Sequence, residues 1–156
     1  MEAARRATVD DLRAILDLAA ELRDELVPMR GGSLWSRTAA YPDPLEATFR
    51  ALLERDDACV LVGTIDDVIV GFAACNVAVL RDGTRLGQIV ELFVTPEARA
   101  VSVGEGLLGQ LVEWCRDQSC VGIDAFALPG HRAAKNFFET AGFTARALIM
   151  YHELEP

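Results

Sequence analysis

The sequence predicts a mixed α+β domain, layered as helices, sheet and helices, and three observations carry that expectation. Hydrophobic spacing switches along the chain between helical and strand periods. Three consecutive β-rich runs are joined only by short polar turns, and glycine or proline falls where the helical patterns stop. At 156 residues and 51% hydrophobic, residues 1–156 have the size of one globular domain, large enough to bury most of the surface an unfolded chain exposes.

"RRATVDD" reads as a short strand ending at Thr8, with Asp10 or Asp11 opening a helix whose Leu12, Ile15, Leu16, Ala19, Leu22 and Leu26 follow helical spacing until Pro28. "MRGGSLWSRTAAYPDP" is then an irregular 16-residue segment, long enough to suggest a functional or mobile loop. Asp43 and Pro44 look like an N-cap and first helical position, ahead of an apolar stripe of Leu45, Phe49, Leu52 and Leu53. "ACVLVGTI", "VIVGFAACNVAVL" and "RLGQIVELFV" form an antiparallel meander. Helical spacing returns at Val103, Leu107, Leu108, Leu111, Val112 and Cys115, followed by the strand "CVGIDAFAL". A helix over "GHRAAKNFFETAG" closes on Gly142 as a left-handed cap, and "FTARALIMYHEL" is the last expected strand, fitting either an internal edge or pairing with a second subunit.

Charge and cysteine usage narrow the function classes. A formal net charge of −9 argues against nucleic-acid binding, which needs Lys and Arg to displace phosphate counterions, and tolerates a cationic small molecule. Cys59, Cys75, Cys115 and Cys120 sit in apolar contexts without a C-x-x-C pair, far in sequence from His131 and His152, so reduced buried thiols are expected and no metal. Neither a signal peptide nor a membrane-length apolar run is recognisable, and the expected location is cytoplasmic, with no membrane partner.

The stretch "VTPEARAVSVGEGLLGQLVEW", Val94 to Trp114, concentrates the chemistry. The chain leaves a buried strand and enters a helix, so the first main-chain N–H groups have no intrahelical acceptor. Small residues at Ala100, Ser102, Gly104 and Gly106 admit a ligand to the backbone, and Arg99 adds positive charge. Together they suit a phosphate, although a plain strand-to-helix turn also uses glycine. Neither a nucleotide P-loop nor a Rossmann fingerprint is present.

This segment resembles motif A of the GNAT superfamily of N-acetyltransferases, V-x-P-E-x-R-G-x-G-[IV]-G-x-x-L-L, through Val94, Pro96, Glu97, Arg99, Val103, Gly104, Leu107 and Leu108. "HRAAKNFFETAGF" is similar to a second family motif, N-x-x-A-x-x-F-Y-E-K-x-G-F, at Ala134, Phe137, Glu139, Gly142 and Phe143. The resemblance implies a mostly antiparallel twisted sheet of six to seven strands flanked by about four helices and splayed between its fourth and fifth strands. It also implies acetyl-CoA as acyl donor and a small-molecule or protein amine as acceptor. Phe93 and Val94 would offer main-chain groups to the pantetheine. Arg99, Ala100, Val101, Ser102, Val103, Gly104 and Glu105 would wrap the diphosphate, and His131 and Phe138 would lie along the cofactor arm.

Several positions depart from the family pattern. Ser102 replaces the first motif glycine, Val101 stands where relatives often carry a base, and Glu105 puts a negative charge beside the expected diphosphate. Phe138 occupies the place of the family's general-acid tyrosine, and Tyr41, Tyr151 and Cys75 are conceivable substitutes. Direct transfer needs an uncharged amine, and at neutral pH a lysine-like amine is about 3.4 pH units below its pKa, a deficit of ~4.6 kcal/mol. A base therefore matters more than an acid for a thiol leaving group, whose deficit is ~2 kcal/mol. Glu91, within "QIVELFV", has two readings: general base or acceptor anchor, sharing a face with Ile89 and Phe93, or a structural carboxylate bonded to a neighbouring loop. Arg30 and Trp35, in the segment between the first two helices, are candidates for the acceptor pocket, with Arg30 or Arg37 recognising an anionic group. The competing class is a non-catalytic domain that keeps the fold and serves as a coenzyme A sensor or dimerisation module.

Overall fold

The computed structural model describes residues 1–156. Its elements run β1 (Glu2–Arg6), a 3-10 turn (Val9–Asp11), α1 (Leu12–Leu26), α2 (Gly32–Arg37), α3 (Leu45–Glu54), β2 (Ala58–Ile65), β3 (Val68–Val79) and β4 (Arg85–Val94). A second 3-10 turn (Pro96–Ala98), α4 (Val103–Asp117), β5 (Cys120–Ala125) and α5 (Arg132–Thr140) follow. The five strands lie in sequence order, antiparallel from β1 to β4, with β5 added parallel to β4 through the α4 crossover. The β2–β3 hairpin turns on Asp66 and Asp67, both at positive φ, the backbone that a two-residue loop needs to match strand twist.

Strand alternation splits the core into two layers. Ala58, Val60 and Val62 of β2, with Phe72 and Ala74 of β3, meet α1 and α3. Cys59, Leu61, Ala73 and Cys75 meet α4 on the other face. On the first face the Phe49 ring packs edge-on to Phe72, centroids 5.8 Å apart, while Ile15, Ala19 and Leu22 bring α1 down on the sheet. On the second, Gly63 lets α4 come close, because a Cβ there would lie 2.4 Å from Val103 Cγ1. Cys59, Cys75 and Cys115 are buried free thiols, as their apolar contexts led one to expect.

The last expected strand does not form, so the sheet has five strands rather than six or seven. A strand is a pairing state as well as a pattern of residues, and no main-chain hydrogen bond inside the chain involves any residue beyond Phe143. The irregular segment contains the short helix α2, whose entry uses Gly31 at φ +78°. Residues 45–54 form the next helix with Pro44, not Asp43, as N-cap, and β1 stops at Arg6, two residues before Thr8. Gly142 takes the expected left-handed cap. The Gly142 N–H donates to Glu139 O and the Phe143 N–H to Phe138 O, the paired closure of a Schellman motif.

The start of α1 is fastened electrostatically. The buried Asp11 carboxylate accepts two hydrogen bonds from Arg5, at 2.8 and 2.9 Å, and one from the Thr8 N–H at 2.8 Å. The Arg5 hydrogen bond, followed by that from Thr8, holds the Asp11 carboxyl below its ordinary range despite burial. Its stabilisation is complete above the unfolded pKa near 4 and is lost as pH falls through the lower folded value. Asp11→Asn should therefore lower unfolding free energy by about 1–3 kcal/mol at pH 7. The difference from the parent should shrink toward zero near pH 2, which urea titrations at the two pH values will read.

Candidate functional site

A β-bulge opens the site. Ala74 pairs with Glu91 but the next residue, Cys75, pairs with Ile89, which leaves Val90 as an extra residue in β4. Pairing between β4 and β5 ends at the same place, at Ile89 and Ala125, while β4 runs on to Val94. A bulge bends and twists its strand and re-aims the following side chain, so β4 leaves β5 here and a cleft of about 300 Å³ opens between them. The bulge also reverses the alternation. Glu91 does share a face with Phe93, but Ile89 belongs to the α4 side, which corrects the expectation that all three align.

Main-chain direction follows from the same ladder. The Thr95 N–H donates to Val70 O, so antiparallel alternation turns the peptide groups of Thr95, Phe93 and Glu91 toward β3 and those of Val94 and Leu92 toward the cleft. Leu92, absent from the sequence-derived site, thus takes the place given to the Phe93 backbone. The Phe93 ring is instead buried in the α1 layer, with the Arg99 guanidinium 5.3 Å above it.

At the start of α4 the amides of Ala100, Ser102, Val103, Gly104 and Glu105 donate to no protein acceptor. Val101, Gly104 and Glu105 line the main cleft, and Ser102 and Val103 face an adjoining hollow beside β1. Ser102 has φ −84°, so replacing the motif glycine requires no left-handed backbone. Gly104 serves packing between the two motifs as well as ligand approach, since a Cβ there would lie 3.2 Å from the Phe137 ring. Arg99 does not point at these amides. It donates to Val94 O at 2.8 Å and pairs with Glu25 Oε1 of α1 at 2.9 Å.

Glu91 is fully buried and saturated. Arg23 donates to both its oxygens at 2.9 Å, and the Tyr41 N–H donates to Oε2 at 2.9 Å. Arg23 is itself held by Ala19 O and Tyr41 O and stacks 5.6 Å from the Trp35 ring. Of the two readings of Glu91 this geometry fits the structural one, a carboxylate tying β4 to α1 and to the loop before α3. Arg23 escaped the sequence reading, although an arginine between Leu22 and Leu26 on a buried helical face and a lone acid in an apolar strand are complementary oddities.

Trp35 is buried and lines the cleft with Leu22, Leu26, Leu128 and Glu25, whereas Arg30 is exposed and, like Arg37, lines no part of it. The arginine-based expectation of an anionic acceptor thereby loses its support. His131 and Phe138 do line the cleft. The three substitutes considered for a missing acid do not: Tyr41 is buried with its O–H donating to Asn76, Cys75 is buried against Cys115, and Tyr151 is exposed elsewhere. Burial, then the nearby Glu91 charge, pushes the Tyr41 phenol far up.

The comparisons with known proteins agree with this architecture. Residues 19–143 match the model described as the acetyltransferase (GNAT) family, and the chain belongs to that family. An uncharacterized N-acetyltransferase of Archaeoglobus fulgidus is 37% identical over 73 residues, 46% of this chain and 50% of the relative. One of Methanocaldococcus jannaschii is 22% identical over 65% of this chain and 46% of the relative. The chain thus spans about half the length of these curated relatives. Among solved structures, AAC(6')-Iy in complex with the bisubstrate analog CoA-S-monomethyl-acetylneamine superposes with TM-score 0.77 at 17% identity, covering 100% of this chain and 99% of that one. The BH1408 protein of Bacillus halodurans reaches 0.82 at 18% identity, covering 97% and 99%. At such identity these two share the fold.

The Arg23–Glu91 pair makes a sharp stability prediction. Glu91→Gln and Arg23→Met each leave an uncompensated buried group and should each cost about 3–5 kcal/mol, whereas the double variant should recover most of that loss. A urea double-mutant cycle measures the coupling; additive losses would mean that the two side chains do not depend on each other.

Proposed function

We propose that this protein is an acetyl-CoA-dependent N-acetyltransferase acting on a primary amine of a small molecule by direct attack, with residues 1–156 working as one domain. The observation that carries the proposal is the set of unpaired amides at Ala100 and Ser102–Glu105, at the positive end of a 15-residue helix and beside a splayed strand. Neutral N–H donors at a helix start suit a diphosphate. The Leu92 and Val94 peptide groups suit the amide-bearing pantetheine arm. Bound acetyl-CoA supplies a thioester as the acyl source; the other contributions come from this chain. The Leu92 or Val94 N–H polarises the carbonyl, and the apolar walls of Val90, Phe126, Leu128 and Phe138 exclude water.

We assign the meeting with the amine to Glu25, with Glu91 acting as a positioning residue. Glu25 is the carboxylate of α1 that lines the cleft, and its partner Arg99 is half-exposed. When Arg99 turns to a diphosphate, Glu25 is released to anchor an ammonium group and accept its proton. No hydroxyl side chain lines the cleft, so the thiolate leaves without an acid at a deficit of ~2 kcal/mol. A cationic acceptor follows from the lining, where Glu25 and Glu105 face Arg99 alone among fixed charges outside the closed Glu91 pair. The neamine-bearing analog carried by AAC(6')-Iy supports a small polyamine class. The absence of a hydroxyl beside Phe138 favours one second reading, a coenzyme A-binding module without turnover.

Acetyl-CoA at 100 times its dissociation constant should add ~2.7 kcal/mol of stability, read as a rise in melting temperature. No rise at millimolar acetyl-CoA would remove the basis of both readings, and a rise without thiol release across an amine panel would leave the module. Glu25→Gln should lower kcat/KM for the amine at least tenfold while KM for acetyl-CoA stays level or falls, with Glu25→Asp retaining part of the activity. Glu105→Gln should tighten acetyl-CoA by about two- to fivefold, the equivalent of ~0.3–1 kcal/mol at a helix start. Equilibrium titration of each variant measures it.

A further inference from the structure

Strand β5 and helix α5 contain no fully buried residue, although Ile123, Phe137 and Phe138 pack on the α4 layer. β5 pairs with β4 along one side only, and its other edge is open, with Val121 67% and Phe126 41% exposed. An open edge backed by half-covered aromatic side chains is an invitation to another strand.

The chain carries the complementary piece. Beyond α5, Arg146 forms a two-pronged ion pair with Asp124 near the end of its own β5. From that root residues 147–154, "ALIMYHEL", lead away from the body as an arm. They make no main-chain hydrogen bond, and Leu148, Ile149, Met150, Tyr151 and Leu154 are 64–87% exposed. Apolar side chains on both alternating faces suit a strand covered on both sides, whereas a solvated tail is poor in such residues.

We propose that residues 147–154 of one copy add as a strand along the free edge of β5 of a second copy, reciprocally, so that the protein is a strand-exchanged dimer. A two-fold exchange leaves neither an unpaired arm nor an open edge, because each copy supplies what the other lacks. Five apolar side chains from each copy, at roughly 60–120 Å² apiece, together with the surfaces they cover, bury on the order of 1,500 Å² in total, the size of a stable specific interface. The inference is independent of acetyl transfer.

Sedimentation equilibrium and light scattering on the full chain at tens of micromolar should give twice the 17.0 kDa chain mass. Amide exchange should show residues 147–154 and β5 protected together, and both should lose protection on dilution below the dimer dissociation constant. Leu148→Asp combined with Met150→Asp should yield a folded monomer with unchanged circular dichroism. A monomer at every concentration would overturn the proposal, whether the arm is unprotected or folded back onto its own β5. So would a dimer whose arm exchanges freely, or a double variant that stays folded and dimeric. If the double variant does not fold, concentration-dependent protection in the parent chain decides.

Discussion

One extra residue in β4 sets the geometry on which the site depends. Val90 breaks the ladder with β3 at the point where β5 stops pairing, and the strand that leaves is caught by a buried ion pair between Glu91 and Arg23. An isolated carboxylate in that environment would be strongly unfavourable, so the pair holds only while α1, the loop before α3 and β4 keep their relative positions. Each of its six contacts is made across elements distant in sequence or within the arginine's own helix. The bulge opens the cleft, and the ion pair prevents the freed strand from relaxing back toward β5.

The two GNAT motifs form one surface for a packing reason. Gly104 at the start of α4 receives the Phe137 ring of α5, so the turn with unpaired amides and the helix that walls the cleft are in direct contact. Gly63 in β2 does the corresponding task beneath α4, admitting Val103. Against these amides stands Glu105, whose charge suits the bare helix dipole and opposes an anionic guest. Arg99 is held toward α1 by Glu25, which links occupation of the anion end of the cleft to the charge at its amine end.

The side of the molecule formed by β5 and α5 obeys a different constraint. Its apolar surface is only half covered, and the remaining apolar residues of the sequence lie in an arm that pairs with nothing inside the chain. Burial and pairing are both satisfied when a second copy supplies the missing strand, and the same alternating pattern serves whether a strand's neighbour is internal or external.

Much was legible in the sequence because it is encoded locally. Helical and strand periods located the elements through α5, the meander of β2, β3 and β4 announced itself in short turns, and Gly142 marked its helix end. The strand-to-helix turn at residues 94–107 likewise declared its unpaired amides, since the absence of an intrahelical acceptor is a property of any helix start. Tertiary structure alone decided what the long-range partners were. The Val90 bulge is a misfit between two strands and has no signature in one of them; it moved Ile89 to the opposite face and gave Leu92 the backbone position expected of Phe93. Glu91 and Arg23 lie 68 residues apart, so whether that acid is a free base or a neutralised brace depends on which helix crosses it, and Glu25 entered the site for the same reason. The terminal "ALIMYHEL" has a strand's alternation but no hydrogen-bond partner in its own chain, because pairing belongs to two segments and periodicity to one.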